Sequence, residues 1–244
     1  MKLVVFIYGL LFGSFYNVCI YRIPNKKSIA FPPSSCGNCN HKLKLIDLIP
    51  IVSYVFLKGR CRYCNEKISI QYPLIELFTG LLFLFSYIQF GMSIMFIKSV
   101  VLGSIVLIVS MIDFKHYIIP DSISLLTFVL GVIFNLIIRD ISIKSLIFAF
   151  LLGGGFLFVI ALIGPMGGGD IKIMAGFALF LGLQKTILAL LLSFTLGGII
   201  GILLIVTKIK GRKDNIPFGP FLGMGSYISF IYFEQIFNWY INIL

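Results

Sequence analysis

The sequence predicts an all-α polytopic membrane protein: about eight transmembrane helices with a small zinc-stapled cytoplasmic segment. Three observations predict it. Of 244 residues, 59% are hydrophobic and only 12% charged, a balance far outside soluble usage. The apolar residues gather in runs near the ~20 residues that a helix needs to cross a bilayer. One sizeable polar stretch, residues 22–72, interrupts them and holds four of the five cysteines. The net charge of +11 would suit nucleic acid in a soluble protein. In a membrane chain it reads as the positive-inside bias, so a lipid bilayer is the expected partner and nucleic acid is not.

The first run, 3–21, contains Cys19 and ends at Arg22 and Pro24 with no small-residue cleavage site. It reads as a retained span rather than a signal peptide. Residues 23–72 are too few for a self-sufficient core, so a staple is expected there. Further spans are expected at 73–90, 95–112, 119–138, 146–164, 171–184, 186–207 and 219–242. The sixth is short, and only Gln184-Lys185-Thr186 separates it from the seventh. The chain thus divides into a first helix (1–22), a cysteine segment (23–72) and a larger membrane part (73–244). No internal repeat or low-complexity linker is evident.

Lys and Arg set the orientation. With 22–72 in the cytoplasm, Arg22, Lys26, Lys27, Lys42, Lys44, Lys58, Arg60, Arg62, Lys67, Lys115, Lys172, Lys208, Lys210, Arg212 and Lys213 lie inside. Only Lys2, Lys98, Arg139, Lys144 and Lys185 lie outside. The N-terminus is then external, and the loops at Asp113 and at Gly167–Asp170 both open to the cytoplasm.

Cys36-Gly37-Asn38-Cys39 and Cys61-Arg62-Tyr63-Cys64 are two C-x-x-C pairs, 21 residues apart. Four thiolates at this spacing suit tetrahedral zinc. The rival is a disulfide pair, which a cytoplasmic placement opposes. A site of four sulfurs leaves no open position, so the zinc is structural. His41 reads as a solvated loop histidine.

Three acids sit at cytoplasmic span ends: Asp113, Asp121 and Asp170. An acid beside the hydrocarbon region is costly and marks a candidate site. Capping a helix start explains Asp121 and partly explains Asp170. It suits Asp113 poorly, because that acid closes a helix. A carboxylate pair is one functional reading: two close acids share a proton, one acts as base on a water and the other as acid, without a metal. A small ion- or proton-coupled transporter using the acids as a relay is the alternative. Gly167, Gly168 and Gly169 border Asp170 and offer backbone room for an extended substrate.

Taken together, the motifs resemble one family. Gly167-Gly168-Gly169-Asp170 is similar to the G-x-G-D motif of intramembrane aspartyl proteases. With Asp113-x6-Pro120-Asp121 it resembles the type IV prepilin peptidases (leader peptidases). Gly13-Ser14-Phe15-Tyr16-Asn17-Val18-Cys19-Ile20-Tyr21-Arg22-Ile23-Pro24, the cysteine quartet, Tyr72-Pro73-Leu74-Ile75-Glu76-Leu77 and Pro217-Phe218-Gly219-Pro220-Phe221 follow the same family in order. One departure is Gly37, where the family often has proline. The resemblance implies a cell-membrane endopeptidase that removes the basic leader of prepilins and pseudopilins at the cytoplasmic face. It implies that Asp113 and Asp170 are the catalytic pair and that Asp121 is a motif residue. Members with the cysteine segment often also N-methylate the new N-terminal residue with S-adenosylmethionine. The quartet and Gly59 resemble those bifunctional members. Glu76 could contact the methyl-donor site or the pilin amine, but a helix-start acid is the simpler reading.

Overall fold

The computed structural model describes residues 1–164, 166–211 and 214–243. Pro165 of the glycine stretch, and Arg212 and Lys213 of the basic count, lie outside the described residues. Among those described, nine α-helices form and no strand, only two isolated bridges. The chain divides into two compact units, Met1–Val100 and Val101 onward.

In the first unit, α1 (Lys2–Arg22) packs along α3 (Gln71–Phe90). Gly9 and Gly13, four residues apart, let the backbones meet, as small residues do between membrane helices. A Cβ at Gly9 would lie 2.7 Å from Gly80 Cα, and one at Gly13 would lie 2.6 Å from Glu76 Cα. Because α3 is tied to α1, the compact unit runs past the change of polarity near residue 72. The polar segment is mostly irregular. It holds a 3-10 turn (Leu45–Leu48) and the short helix α2 (Val52–Phe56). The helix α4 (Ile94–His116) begins in this unit, where Ser99 hydrogen-bonds Ser86 at 2.9 Å.

The second unit holds the rest of α4, then α5 (Asp121–Ile138), α6 (Ile143–Ile163), α7 (Gly168–Leu181), α8 (Leu183–Val206) and α9 (Gly219–Ile241). Its centre is α7, where every residue from Ile173 to Leu181 is buried. Glycines set the spacing around it: Gly176 faces Thr127 of α5, and Gly153 of α6 faces Ala178. Small residues replace the missing hydrophobic drive between helices in lipid.

Six helices are long and apolar enough to cross a membrane: α1, α3, α4, α5, α6 and α8. The expected sixth and eighth spans form as α7 and α9 but are not among them. At 14 residues, α7 is about 21 Å long, short of the ~30 Å hydrocarbon core. The 23-residue α9 is diluted by glycines, serines, Glu234 and Gln235. The break between α7 and α8 falls at Gly182, not at Gln184-Lys185-Thr186. Gly182 has φ +74, a conformation that side chains disfavour.

Candidate functional site

The second unit brings two of the three acids together. Asp113 lies near the end of α4, on the buried face that includes Leu102, Val109 and Ile112, and is only 5% exposed. Its Oδ2 accepts a hydrogen bond from the Gly219 N–H at 2.8 Å. Gly219 is the first residue of α9, so Asp113 supplies an acceptor to the start of a different helix. The expectation that Asp113 suits capping poorly is corrected here: its own helix offers no such role, but α9 does. Asp170 is the third residue of α7, half-buried, and within electrostatic reach of Asp113.

Asp121 stays apart. It is exposed, makes no side-chain cap on α5, and pairs with Lys172 at 2.7 Å. The expected capping role is therefore replaced by an ion pair between the starts of α5 and α7. An exposed pair of this kind contributes about 0–1 kcal/mol.

The glycine run differs from an open loop. Gly168 and Gly169 form the first turn of α7, and none of Gly167, Gly168 and Gly169 has a positive φ. Gly169 is small for a packing reason: a Cβ there would sit 2.9 Å from Ile119 Cβ and 3.3 Å from its carbonyl oxygen. Ile119 also neighbours Gly219, whose own Cβ would lie 3.1 Å from Ile119 Cδ1. One buried isoleucine thus lies against Gly169 and Gly219, which adjoin Asp170 and Asp113 respectively. Gly168 alone faces open space. Gly219 is the site residue that sequence reading left without a role; its signal was the Pro217–Phe221 motif.

In the first unit, the four cysteine sulfurs lie within 4.8 Å of one another. The Cys36 and Cys64 sulfurs are 3.8 Å apart, the edge of about 3.8 Å that a tetrahedron with 2.3 Å Zn–S bonds requires. The donor set and its spacing fit zinc, and all four cysteines are free rather than disulfide-linked. Each knuckle is the same turn. Cys36 N–H donates to His41 O and Asn40 N–H to Cys36 O; Cys61 N–H donates to Glu66 O and Asn65 N–H to Cys61 O. Asn40 and Asn65 both take positive φ, which asparagine tolerates. The sequence carries this as a repeated C-x-x-C-N-x-K, so an internal repeat does exist. Backbone N–H groups of Cys39 and Asn38 bring the Cys36 thiol down to about 6. His41 is not a ligand; it stacks on Tyr63 at 3.7 Å. The Asp47 side chain, 3% exposed, accepts from Arg62 at 2.7 Å and from the Tyr63 hydroxyl at 3.1 Å, tying the 3-10 turn to the second knuckle.

A cavity of about 1430 Å³ lies among the knuckles, α1 and α3, roomier than the ~300–1,000 Å³ of common ligand pockets. Asn17, Arg22, Tyr54, Arg62 and Glu76 are on its wall. Glu76 is not a helix-start acid. It is the sixth residue of α3, beyond the first turn where the helix dipole acts, and is 7% exposed. Its Oε2 accepts the Ile51 N–H at 2.7 Å. Ile51 has φ +60, a strained conformation for a β-branched residue, so Glu76 holds a distorted bend. Gly59 has φ +69, and a Cβ there would lie 2.9 Å from the Tyr54 hydroxyl. Its backbone conformation and its Tyr54 neighbour together explain the glycine.

Comparison with known proteins follows this division. Residues 7–90 match the bacterial peptidase A24 N-terminal domain, and residues 100–202 match the type IV leader peptidase family. A prepilin leader peptidase/N-methyltransferase of Bacillus subtilis (strain 168) is 38% identical over 249 residues, covering 100% of this chain and 99% of that protein. Proteins of the same name from Legionella pneumophila and Neisseria gonorrhoeae are each 31% identical. They cover 99% and 96% of this chain, and 95% and 92% of their own. No solved structure matches.

Proposed function

The chain belongs to the type IV leader peptidase family, and from that premise we propose that Asp113 and Asp170 are the carboxylate pair that hydrolyses the leader bond of a prepilin or pseudopilin. The chain is a multi-pass membrane enzyme, a prepilin peptidase that also N-methylates its product. The observation that supports the residue assignment is the pairing of a buried Asp113 with a half-buried Asp170 in one unit, with Ile119 packed against the glycine beside each acid. The transporter alternative is set aside with the family assignment.

The Gly219 N–H separates the two roles. An oxygen that accepts an N–H at a helix start is matched to a carboxylate. Asp113 therefore takes the proton from the attacking water, and Asp170 donates one to the scissile carbonyl. The tetrahedral diol collapses as the C–N bond breaks. The leader leaves as a carboxylic acid and the mature chain as an amine: the proton taken by Asp113 goes to the leaving nitrogen, and a diol hydroxyl returns its proton to Asp170 as the C=O bond re-forms. Gly168, facing open space beside Asp170, leaves room for the extended residues around the bond.

The four thiolates would hold zinc as a structural staple of the polar segment. The cavity beside them is the site proposed for methyl transfer, where S-adenosylmethionine supplies the methyl group. Glu76 shapes that cavity through its bond to Ile51. The basic-residue bias supports an orientation with the polar segment, Asp113 and Asp170 on the cytoplasmic side and the N-terminus outside.

Co-expression with a prepilin tests the pair. Asp113→Asn and Asp170→Asn should each abolish leader removal while the protein accumulates normally in the membrane. Processing by both variants would sink the assignment.

A further inference from the structure

We propose that Asn17 and Glu76 form a primary-amine subsite in the cavity of the first unit, with Asn17 Oδ1 accepting an N–H from the bound amine. This rests on the methylation reading above. The starting point is an unpaired atom. Asn17 is 3% exposed, and its Nδ2 donates to Gly13 O at 3.3 Å and to Tyr72 O at 3.1 Å. Both partners are carbonyl oxygens. A flipped amide would set oxygen against oxygen, so the orientation is determined. Oδ1 is then left buried with no hydrogen-bond partner. A buried acceptor without a donor is costly and calls for an explanation.

The surroundings say what donor is missing. Asn17 and Glu76 both line the cavity, and Gly13 lets their helices meet closely enough to share one wall. Glu76 receives the Ile51 N–H and a bond from Ser14. A carboxylate offers about four lone-pair sites, so it has capacity for more. Two of the cavity's cations are engaged elsewhere. Arg22 donates to Ser28 O and Pro32 O, and Arg62 pairs with Asp47. Two acceptors, one of them anionic and neither bonded to a cation among the described residues, suit a group that only donates. A primary amine is that group; a carboxylate or phosphate is repelled.

Two molecules in the methylation reaction carry such an amine: the new N-terminus of the cleaved chain and the methionine part of the methyl donor. Direct binding distinguishes them. The full-length protein in detergent is titrated, without methyl donor, with a fluorescent peptide of the mature pilin N-terminus, as the free amine and as the N-acetyl form. S-adenosylhomocysteine is titrated separately. The variants are Asn17→Leu, which removes the acceptor, and Glu76→Gln. The glutamine keeps an acceptor for Ile51 and removes the negative charge. Leader cleavage and zinc content serve as folding controls, and neither residue belongs to the peptidase pair.

Both variants should weaken the free-amine peptide by about tenfold or more while moving the acetylated peptide by less than about twofold. Weakened S-adenosylhomocysteine with an unchanged peptide would keep the subsite but assign it to the donor's amino group. Unchanged affinity for both ligands, or equal loss for the free and acetylated peptides, overturns the proposal. Wild-type protein that transfers no labelled methyl would instead refute the methylation reading, and peptide binding would still report on the subsite.

Discussion

Replacing Gly219 by alanine adds one methyl group where α9 meets the acid at the end of α4. The new Cβ would lie 2.8 Å from Asp113 Oδ2 and 3.1 Å from Ile119 Cδ1. Both neighbours are buried, so neither can swing into solvent. Either the carboxylate rotates away or the start of α9 moves out. In both cases the 2.8 Å bond from the Gly219 N–H to Asp113 is lost. A hydrogen bond to a charged group is worth roughly 1.5–3 kcal/mol. Lost from the transition state, that is about a 10- to 150-fold drop in kcat/KM. The assay is the initial rate of leader removal by purified protein in liposomes, at varied prepilin concentration. Methyl transfer to pre-cleaved substrate, proposed above for the cavity of the first unit, serves as the internal control. Cleavage within about twofold of wild type would refute the idea that Gly219 holds Asp113 in its working position.

The remaining predictions follow from the same contacts. Gly169→Val should cost about 1–3 kcal/mol of stability by overpacking Ile119 and should cripple cleavage with both acids intact, read by thermal melting and processing. Gly168→Ala meets nothing within 4 Å, so it should melt like wild type, and any loss of cleavage there would report substrate contact. Asp121→Asn removes an exposed ion pair, so cleavage should stay within about fivefold; a hundredfold loss would bring Asp121 into the chemistry. Cys61→Ser, or treatment with a strong chelator, should lower zinc content and methyl transfer more than leader removal. Equal loss of both activities would mean that the cysteine segment supports the peptidase.

Much of the fold was legible because lipid imposes a strong pattern. Apolar runs near 20 residues announced α1, α3, α4, α5, α6 and α8 directly. The short α7 was harder. Its buried run from Ile173 to Leu181 reflects a place among other helices, and apolar composition alone does not separate burial in protein from exposure to lipid. The cysteine quartet was legible as two knuckles, because C-x-x-C carries its own geometry. Its Asn40 and Asn65 turns were visible only once their φ angles were known. Asp113 and Asp170 could be chosen as acids from position and motif. Long-range partners could not: the Gly219 N–H reaches Asp113 from 106 residues away in sequence, and within the first unit Glu76 reaches back 25 residues to Ile51. Long-range backbone donors leave no local periodicity to read.

The bond between Asp113 and α9 also bears on how an inert form of the enzyme should be made. A substrate trap needs the chemistry removed and the shape kept. Alanine at position 113 would strip the start of α9 of its acceptor and leave a hole where the carboxylate stood. Asparagine keeps an oxygen at the same distance from the Cα, so its Oδ1 can still accept the Gly219 N–H while its amide cannot take a proton from water. Asp113→Asn is therefore the form in which a bound, uncut precursor should be sought.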